Sequence, residues 1–226
     1  MKIGGVIMLL SLGGIVAVLG FVKPVFPISD QEQQLIEAVA QDDLVTVRRL
    51  VKQGTNVNAQ DGRGRTALLA AVEANAIESA KVLIEAGADV NVQDKKLDSP
   101  LLLAGAEGRL EILQRILQAN PDFTLYNRFG GTPLIPACER GHVEVVKTLL
   151  NTKVDIDHGN HLGWTALLEA IVLSDGGPRH QEIVQLLVDA GADVQIGDHD
   201  GVTPLLHARR KGFQKIGKIL EAAGAR

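Results

Sequence analysis

The chain has 226 residues, 46% of them hydrophobic but only 3% aromatic, with a formal net charge of −4 and a single cysteine. That balance excludes an intramolecular disulfide framework, and it excludes a strongly cationic surface that would hold nucleic-acid phosphates without regard to sequence. With so few aromatic rings, thin layers of small and aliphatic side chains are expected in place of one large core.

Ile3 to Val22 is a run of twenty residues without a charge, in which Ser11 is the only polar side chain. At ~1.5 Å of rise per residue such a run crosses a hydrocarbon core ~30 Å thick, and it has no polar face to meet water. Residues 1–22 are therefore expected to form one hydrophobic amino-terminal helix, a signal anchor or, if cleaved, a signal peptide. Lys2 stands before it and Lys23 after it, and the positive-inside rule leans towards a cytoplasmic amino end. The remainder is then expected outside the cytoplasm, in the cell envelope, and periplasmic in a bacterium.

Residues 23–29 carry Pro24 and Pro27 and read as a short extended linker, because the residue before each proline is pushed out of helical space. Ser29 and Glu32 make the S-x-x-E signature of a capping box, which predicts a helix from about Asp30. Leu35, Ile36, Val39 and Ala40 recur at helical spacing, as do Leu44, Val47, Leu50 and Val51 on a second helix. Gln31, Gln33, Gln34, Glu37 and Gln41 give this pair the polar outer face of an end cap.

From Thr66 onward one phrase returns. It reads Thr66-Ala67-Leu68-Leu69-Ala70-Ala71, then Ser99-Pro100-Leu101-Leu102-Leu103-Ala104, Thr132-Pro133-Leu134-Ile135-Pro136-Ala137, Thr165-Ala166-Leu167-Leu168-Glu169-Ala170 and Thr203-Pro204-Leu205-Leu206-His207-Ala208. The hydroxyl residues are spaced by 33, 33, 33 and 38, a period that means stacked supersecondary units. Each hydroxyl is expected to cap a helix, with proline tolerated at the first helical position and the leucines directed to the core. A second, amphipathic run follows each time, as in Ile112, Leu113, Ile116 and Leu117. It closes at Gly54, Gly87, Asn120, Lys153, Gly191 and Gly224, a position expected to be left-handed, which costs a lysine about 1–2 kcal/mol.

Three departures stand out. Leu97 occupies the place that other turns give to Gly64, Gly130, Gly163 and Gly201, so a turn of different shape is expected there. The stretch from Leu173 to His180 holds five extra residues with Gly176-Gly177-Pro178 inside it, and predicts a protruding loop. Arg209, Arg210, Lys211, Lys215 and Lys218 close the far end with a charged face.

In wording and period the phrase resembles the ankyrin repeat, a unit of about 33 residues with a β-turn, two short helices and the signature T-P-L-H-x-A. Gly87-Ala88-Asp89-Val90, Gly191-Ala192-Asp193-Val194 and Gly141-His142-Val143-Glu144-Val145-Val146 match two further landmarks of that family. The resemblance covers Glu32 to Arg226 and implies an all-α solenoid of helix-turn-helix repeats with short β-hairpin loops over residues 30–226. Its units are an amino-terminal half-repeat 30–61, repeats 62–94, 95–127, 128–160 and 161–198, and a carboxy-terminal cap 199–226. It also implies that His142 and His180 take the family's histidine position before the second helix, and His207 the histidine of T-P-L-H-x-A.

The resemblance further implies non-catalytic binding of another protein through the hairpin tips and the concave helix face. By register the tips hold Arg63 and Arg65, then Lys95, Lys96 and Asp98, then Arg128 and Phe129, then His161, Leu162 and Trp164, then His199, Asp200 and Val202. Tryptophan and arginine are the types most enriched at binding hot spots. The expected contact residues are therefore Arg63, Arg65, Lys95, Lys96, Arg128, Phe129 and Trp164, the chain's only tryptophan, which is expected to project from the scaffold. Basic groups dominate the amino-terminal tips and fit a partner with an acidic surface patch. An inhibitor or immunity protein would use the same tips to block an enzyme.

Asp175, Arg179 and His180 gather an acid, a cation and an imidazole on the extra loop, as a secondary contact or as the centre of a small hydrolase or metal-dependent enzyme. No G-x-S-x-G, Walker or dinucleotide fingerprint is present, and no cofactor is expected. Cys138 aligns with Ala71 and is expected to be buried, away from the electropositive pocket that a reactive thiol needs. Asp155, Asp157, His158 and His161 are of metal-ligating types, but Asp155 aligns with Asp89 and the segment reads as a hairpin, so no metal site is expected.

Overall fold

The computed structural model describes residues 28–226, so the expected hydrophobic segment 1–22 and most of the linker lie outside the described residues. Among the described residues no helix is long and apolar enough to cross a membrane. The chain forms six consecutive helix pairs: α1 Asp30–Ala40 with α2 Leu44–Lys52, α3 Ala67–Ala74 with α4 Ile77–Glu85, α5 Pro100–Glu107 with α6 Leu110–Gln118, α7 Leu134–Glu139 with α8 Val143–Leu150, α9 Ala166–Val172 with α10 Pro178–Asp189, and α11 Pro204–Arg210 with α12 Gln214–Ala222. Odd-numbered helices pack on one another as an inner layer and even-numbered helices as an outer one, so each pair is buried by its neighbours.

Local chemistry sets the helix starts. At α1 the Ser29 hydroxyl and the Glu32 carboxylate cap each other's backbone, the expected capping box. Thr66, Ser99, Thr165 and Thr203 each accept from the N–H three residues on, at 3.3–3.4 Å. Thr132 does not cap, contrary to the expectation. In the other four copies the carbonyl of the hydroxyl residue accepts from the N–H four residues later, but at this place that residue is Pro136, which has no N–H. Helix α7 consequently begins only at Leu134, and Thr132 Oγ1 is buried without a partner.

Leu68, Leu83, Ile112, Leu134, Leu149, Leu167 and Ile183 are fully buried along the stack. Gly105 marks a close approach of backbone to backbone, since a Cβ there would stand 2.7 Å from the Pro133 carbonyl oxygen. Side chains lace successive repeats together. Asn58, Asn91 and Asp157 accept from the backbone N–H of Asp89, Asp122 and Asp193, and His142 and His180 bond the carbonyls of Ala106 and Glu139. His207 lies one residue past the histidine place of T-P-L-H-x-A, which Leu206 occupies; it stands at the register position of Glu169.

A finger projects before each pair from α3 onward, whereas the two helices of a pair are joined by a short turn, or by the longer loop 173–177 between α9 and α10. The expected β-hairpins are shorter than that. Each finger closes with two backbone bonds, as from Asp61 N–H to the Arg65 carbonyl and from Gly64 N–H to the Asp61 carbonyl, and no strand forms among the described residues. What fixes the turn is an aspartate or asparagine at its base. Asp61, Asp94, Asn127, Asn160 and Asp198 each accept from the N–H groups two and four residues on, at 2.7–3.1 Å.

This device explains why Leu97 does not alter the turn. Leu97 takes φ +62°, beside +80°, +73°, +72° and +72° at Gly64, Gly130, Gly163 and Gly201, and its N–H bonds the Asp94 carbonyl in the same way. Asp94 dictates the backbone, and the leucine carries the left-handed strain of about 1–2 kcal/mol.

Two other expectations are corrected. Lys153 is not left-handed: α8 stops at Leu150, and Thr152 Oγ1 donates to the Leu149 carbonyl at 2.6 Å while accepting from Val154 N–H. A hydroxyl thus does the work that a left-handed residue does elsewhere. The extra residues form a loop only over 173–177, because Gly177 and Pro178 start α10, with proline at the first helical position where its missing N–H is harmless. That loop is held by Asp175 and Ser174 accepting from Gly177 and Gly176 N–H, and by Lys211 Nζ donating to the Val172 and Ser174 carbonyls.

Candidate functional site

The fingers form a row in which equivalent tip positions carry Arg63, Lys96, Phe129, Leu162 and Asp200. The row therefore runs from basic through apolar to acidic. Arg63, Lys95, Lys96 and Arg128 are exposed, and Asp98 among them has its pKa raised, by burial first and by Asp94 second. Lys95 Nζ is tied to the Gly62 carbonyl at 2.7 Å, and the Arg128 guanidinium lies 4.5 Å from the centre of the Phe129 ring. The cation therefore covers one face of the aromatic side chain.

Arg65 is not a free tip residue. Its side chain is only 12% exposed, and its guanidinium bonds the Asp61 carboxylate at 2.9 Å and the Glu73 carboxylate as well. It is a strut between the first finger and α3. Trp164 does not project either. It is half-buried, because it occupies the base of its finger, where its backbone pairs with Asn160. Phe129, in contrast, is 56% exposed and does not fold onto Tyr126, which stacks on His158 at 4.2 Å.

Between the third and fourth fingers and helices α7 and α9 the structure opens a cleft of about 490 Å³. Its walls include Phe129, Leu162, Trp164, Ile135 and Leu173, and its polar groups include Asn160, Glu139 and Glu169. Leu162 and Leu173 are 56% and 50% exposed. Glu169 is buried at 5% exposure and accepts from Asn160 Nδ2 at 2.8 Å through Oε1, while its Oε2 is buried with no partner. Burial, and secondarily the charge of Glu139, push its pKa up to about 7, partly offset by the Asn160 bond. Sequence reasoning placed Leu162 on a tip but did not single it out, and it passed over Glu169. The available signal was an acid at the register position that other copies give to Ala70, Leu103 and Pro136.

The Asp175, Arg179 and His180 group lies apart from this cleft. His180 Nδ1 stands 3.2 Å from Asp175 Oδ1, but its Nε2 bonds the Glu139 carbonyl at 2.9 Å, and Arg179 is exposed without a bond to either. In an acid–histidine dyad the second nitrogen must face the substrate. Here it is spent on the backbone, so His180 is an inter-repeat link. Asp155 caps Asp157 N–H, Asp157 caps Asp193 N–H, and His158 Nε2 bonds the Gly130 carbonyl at 2.7 Å. No group of three metal-ligating side chains converges among the described residues. Cys138 is fully buried, and burial together with Glu169 raises its pKa far above the range where a thiolate forms.

Stacked helix pairs with a row of side-chain-locked fingers beside a helical face define a repeat solenoid. The family model for ankyrin repeats in three copies matches residues 19–94, 35–127 and 101–198, and the chain belongs to the ankyrin-repeat family. Similar solved structures include an ankyrin repeat domain from Acinetobacter baumannii AYE, 51% identical with a TM-score of 0.83, over 86% of this chain and 100% of that one. The ankyrin repeat protein EF0377 is 45% identical with a TM-score of 0.82, over 84% and 97%. The human ASB11 ankyrin repeat domain is 28% identical with a TM-score of 0.73, over 85% and 84%. No curated protein matches the chain. Ankyrin-repeat domains are typically non-catalytic and generally mediate protein–protein interaction.

Proposed function

We propose that this chain binds a protein partner along its finger row, with the cleft between the third and fourth fingers as the anchoring point. The observation that carries the reading is the cluster of Phe129, Leu162 and Leu173, each about half exposed or more, around half-buried Trp164. Apolar and aromatic side chains gathered at a concave place are the usual centre of a hot spot. Arg63, Lys95, Lys96 and Arg128 extend the surface and favour an acidic patch on the partner. The uncharged run at 3–22 supports a tether that holds the repeats at a membrane, outside the cytoplasm, where the partner is encountered.

The test is photocrosslinking in the native cells, with a benzophenone amino acid at position 162 of the full chain and a control at exposed Glu78 on the outer layer. A distinct protein should be captured from position 162 only, and Phe129→Ala should weaken that capture by roughly 30-fold, a hot-spot loss of about 2 kcal/mol. Identical adducts from both positions would remove the assignment. Membrane fractionation of the full chain and of a chain lacking 1–22 tests the tether, which fails if both stay in the soluble fraction.

A further inference from the structure

The cleft beside Trp164 joins an apolar wall to an acidic floor that has no counter-charge. Glu139 and Glu169 both line it, and neither takes part in an ion pair among the described residues. The chain contains its own control for this arrangement. His207 stands nine residues after Asp198, as Glu169 stands nine after Asn160, and there the two side chains form an acid–imidazole pair at 2.8 Å. At Glu169 the finger supplies a neutral amide to one oxygen and leaves the other, Oε2, buried and unpartnered. A buried acceptor without a donor is destabilising, and a donor arriving with a ligand removes that cost.

We infer that the cleft receives a lysine side chain of the partner, its ammonium directed to Glu169 and Glu139 and its methylene stem lying against Phe129, Leu162 and Trp164. The inference rests on the protein-binding reading above. A cation is called for by two unpaired carboxyl groups in one cleft, and aromatic walls add attraction to it. An unbranched apolar stem suits a wall of leucine and aromatic side chains while its charged end reaches the floor. Arginine suits the floor less, because its planar fork engages both oxygens of one carboxylate, and Oε1 of Glu169 is already taken by Asn160. The basic tips do not compete for the site: Arg63, Lys95 and Lys96 belong to the first two fingers, and Arg128 on the third lies over the Phe129 ring and forms no ion pair with Glu139 or Glu169.

The titratable groups around Glu169 are Glu139 and buried Cys138 on α7, and His161 on the fourth finger. Because burial and Glu139 hold Glu169 partly protonated at neutral pH, an arriving ammonium favours its ionised form and releases a proton. Affinity for the cation therefore rises with pH between 6 and 8.

Trp164 is the only tryptophan of the chain and lines the cleft, so its fluorescence reports occupancy. The full-length protein is titrated with Nα-acetyl-lysine methylamide and with its norleucine and arginine counterparts, at pH 6 and pH 8. The lysine probe should bind at least ten-fold more tightly than the norleucine probe at pH 8, with the preference reduced at pH 6. Glu169→Gln, which keeps an oxygen for Asn160, should bring the preference below two-fold while thermal unfolding shows the fold intact. Equal binding of lysine and norleucine probes, a preference that survives Glu169→Gln, or tighter binding of the arginine probe would overturn the inference. Crosslinking from position 162 separates the two readings. A partner adduct lost in Phe129→Ala but unchanged in Glu169→Gln keeps the protein-binding surface and removes the lysine. No adduct in the wild type removes the surface, and with it the partner as the lysine's source.

Discussion

Replacing Thr132 by valine tests whether a helix cap depends on the residue four places downstream. Thr165→Val deletes a hydroxyl that accepts from Leu168 N–H at 3.3 Å, and should cost about 1 kcal/mol, as lost caps do. Thr132→Val deletes a hydroxyl that is 1% exposed and bonded to nothing, in a side chain of the same shape, so the change should be neutral or stabilise by up to ~1 kcal/mol. Pro136→Ala supplies the missing N–H to the Thr132 carbonyl and should let α7 start one residue earlier, at Pro133 as in its siblings, bringing the hydroxyl into use. On that background Thr132→Val should again cost about 1 kcal/mol, a coupling of about 1–2 kcal/mol between positions 132 and 136. Urea unfolding followed by circular dichroism measures all four proteins, and a thermal scan should move by about 2–4 °C per kcal/mol for a domain of this size. Equal costs for Thr132→Val and Thr165→Val, or no coupling with position 136, would refute the account.

Leu97→Gly should raise stability by about 1 kcal/mol, since the leucine is half exposed and left-handed, and a loss of stability in urea would show that its packing outweighs its strain. Arg65→Ala should cost about 1–3 kcal/mol in the same assay by freeing the Asp61 and Glu73 carboxylates, whereas Arg63→Ala should change stability by less than ~0.5 kcal/mol. Glu169 has a pKa raised by folding, so its contribution is best where it is protonated in both states, below about 4.5, and worsens as pH climbs towards about 7. The wild type should lose about 1–2 kcal/mol relative to Glu169→Gln between pH 4.5 and pH 8, after allowance for screening by water. Parallel pH profiles for the two proteins would contradict this.

The fold was legible in the sequence because its information is local and repeated: a hydroxyl to cap, leucines to bury, a glycine to turn. What escaped that reading depends on contacts between copies or on one residue breaking a rule for another. Thr132 matched its siblings in every respect, and only the absent N–H of Pro136 undid it. Arg63 and Arg65 sit on one finger, yet Asp61 and Glu73 claim the second and leave the first free. Trp164 looked like a projecting anchor because its register was known but its direction was not. The cleft became visible only when two fingers and two helices from adjacent repeats were brought together. Glu169 had left a trace in the alignment of the copies, as the one acid in a column of apolar residues and a histidine.

The aspartate or asparagine at the base of each finger divides labour within five residues. Because its side chain grips the two N–H groups that shape the turn, the residues at the summit hold no structural office of their own. Arginine, lysine, phenylalanine, leucine and aspartate succeed one another there on the same backbone, and even a leucine in place of glycine leaves the contour intact. The summit can be rewritten while the scaffold stays constant, so that a new recognition surface is within reach of a few exchanges at 63, 96, 129, 162 and 200, with the grip residues left in place.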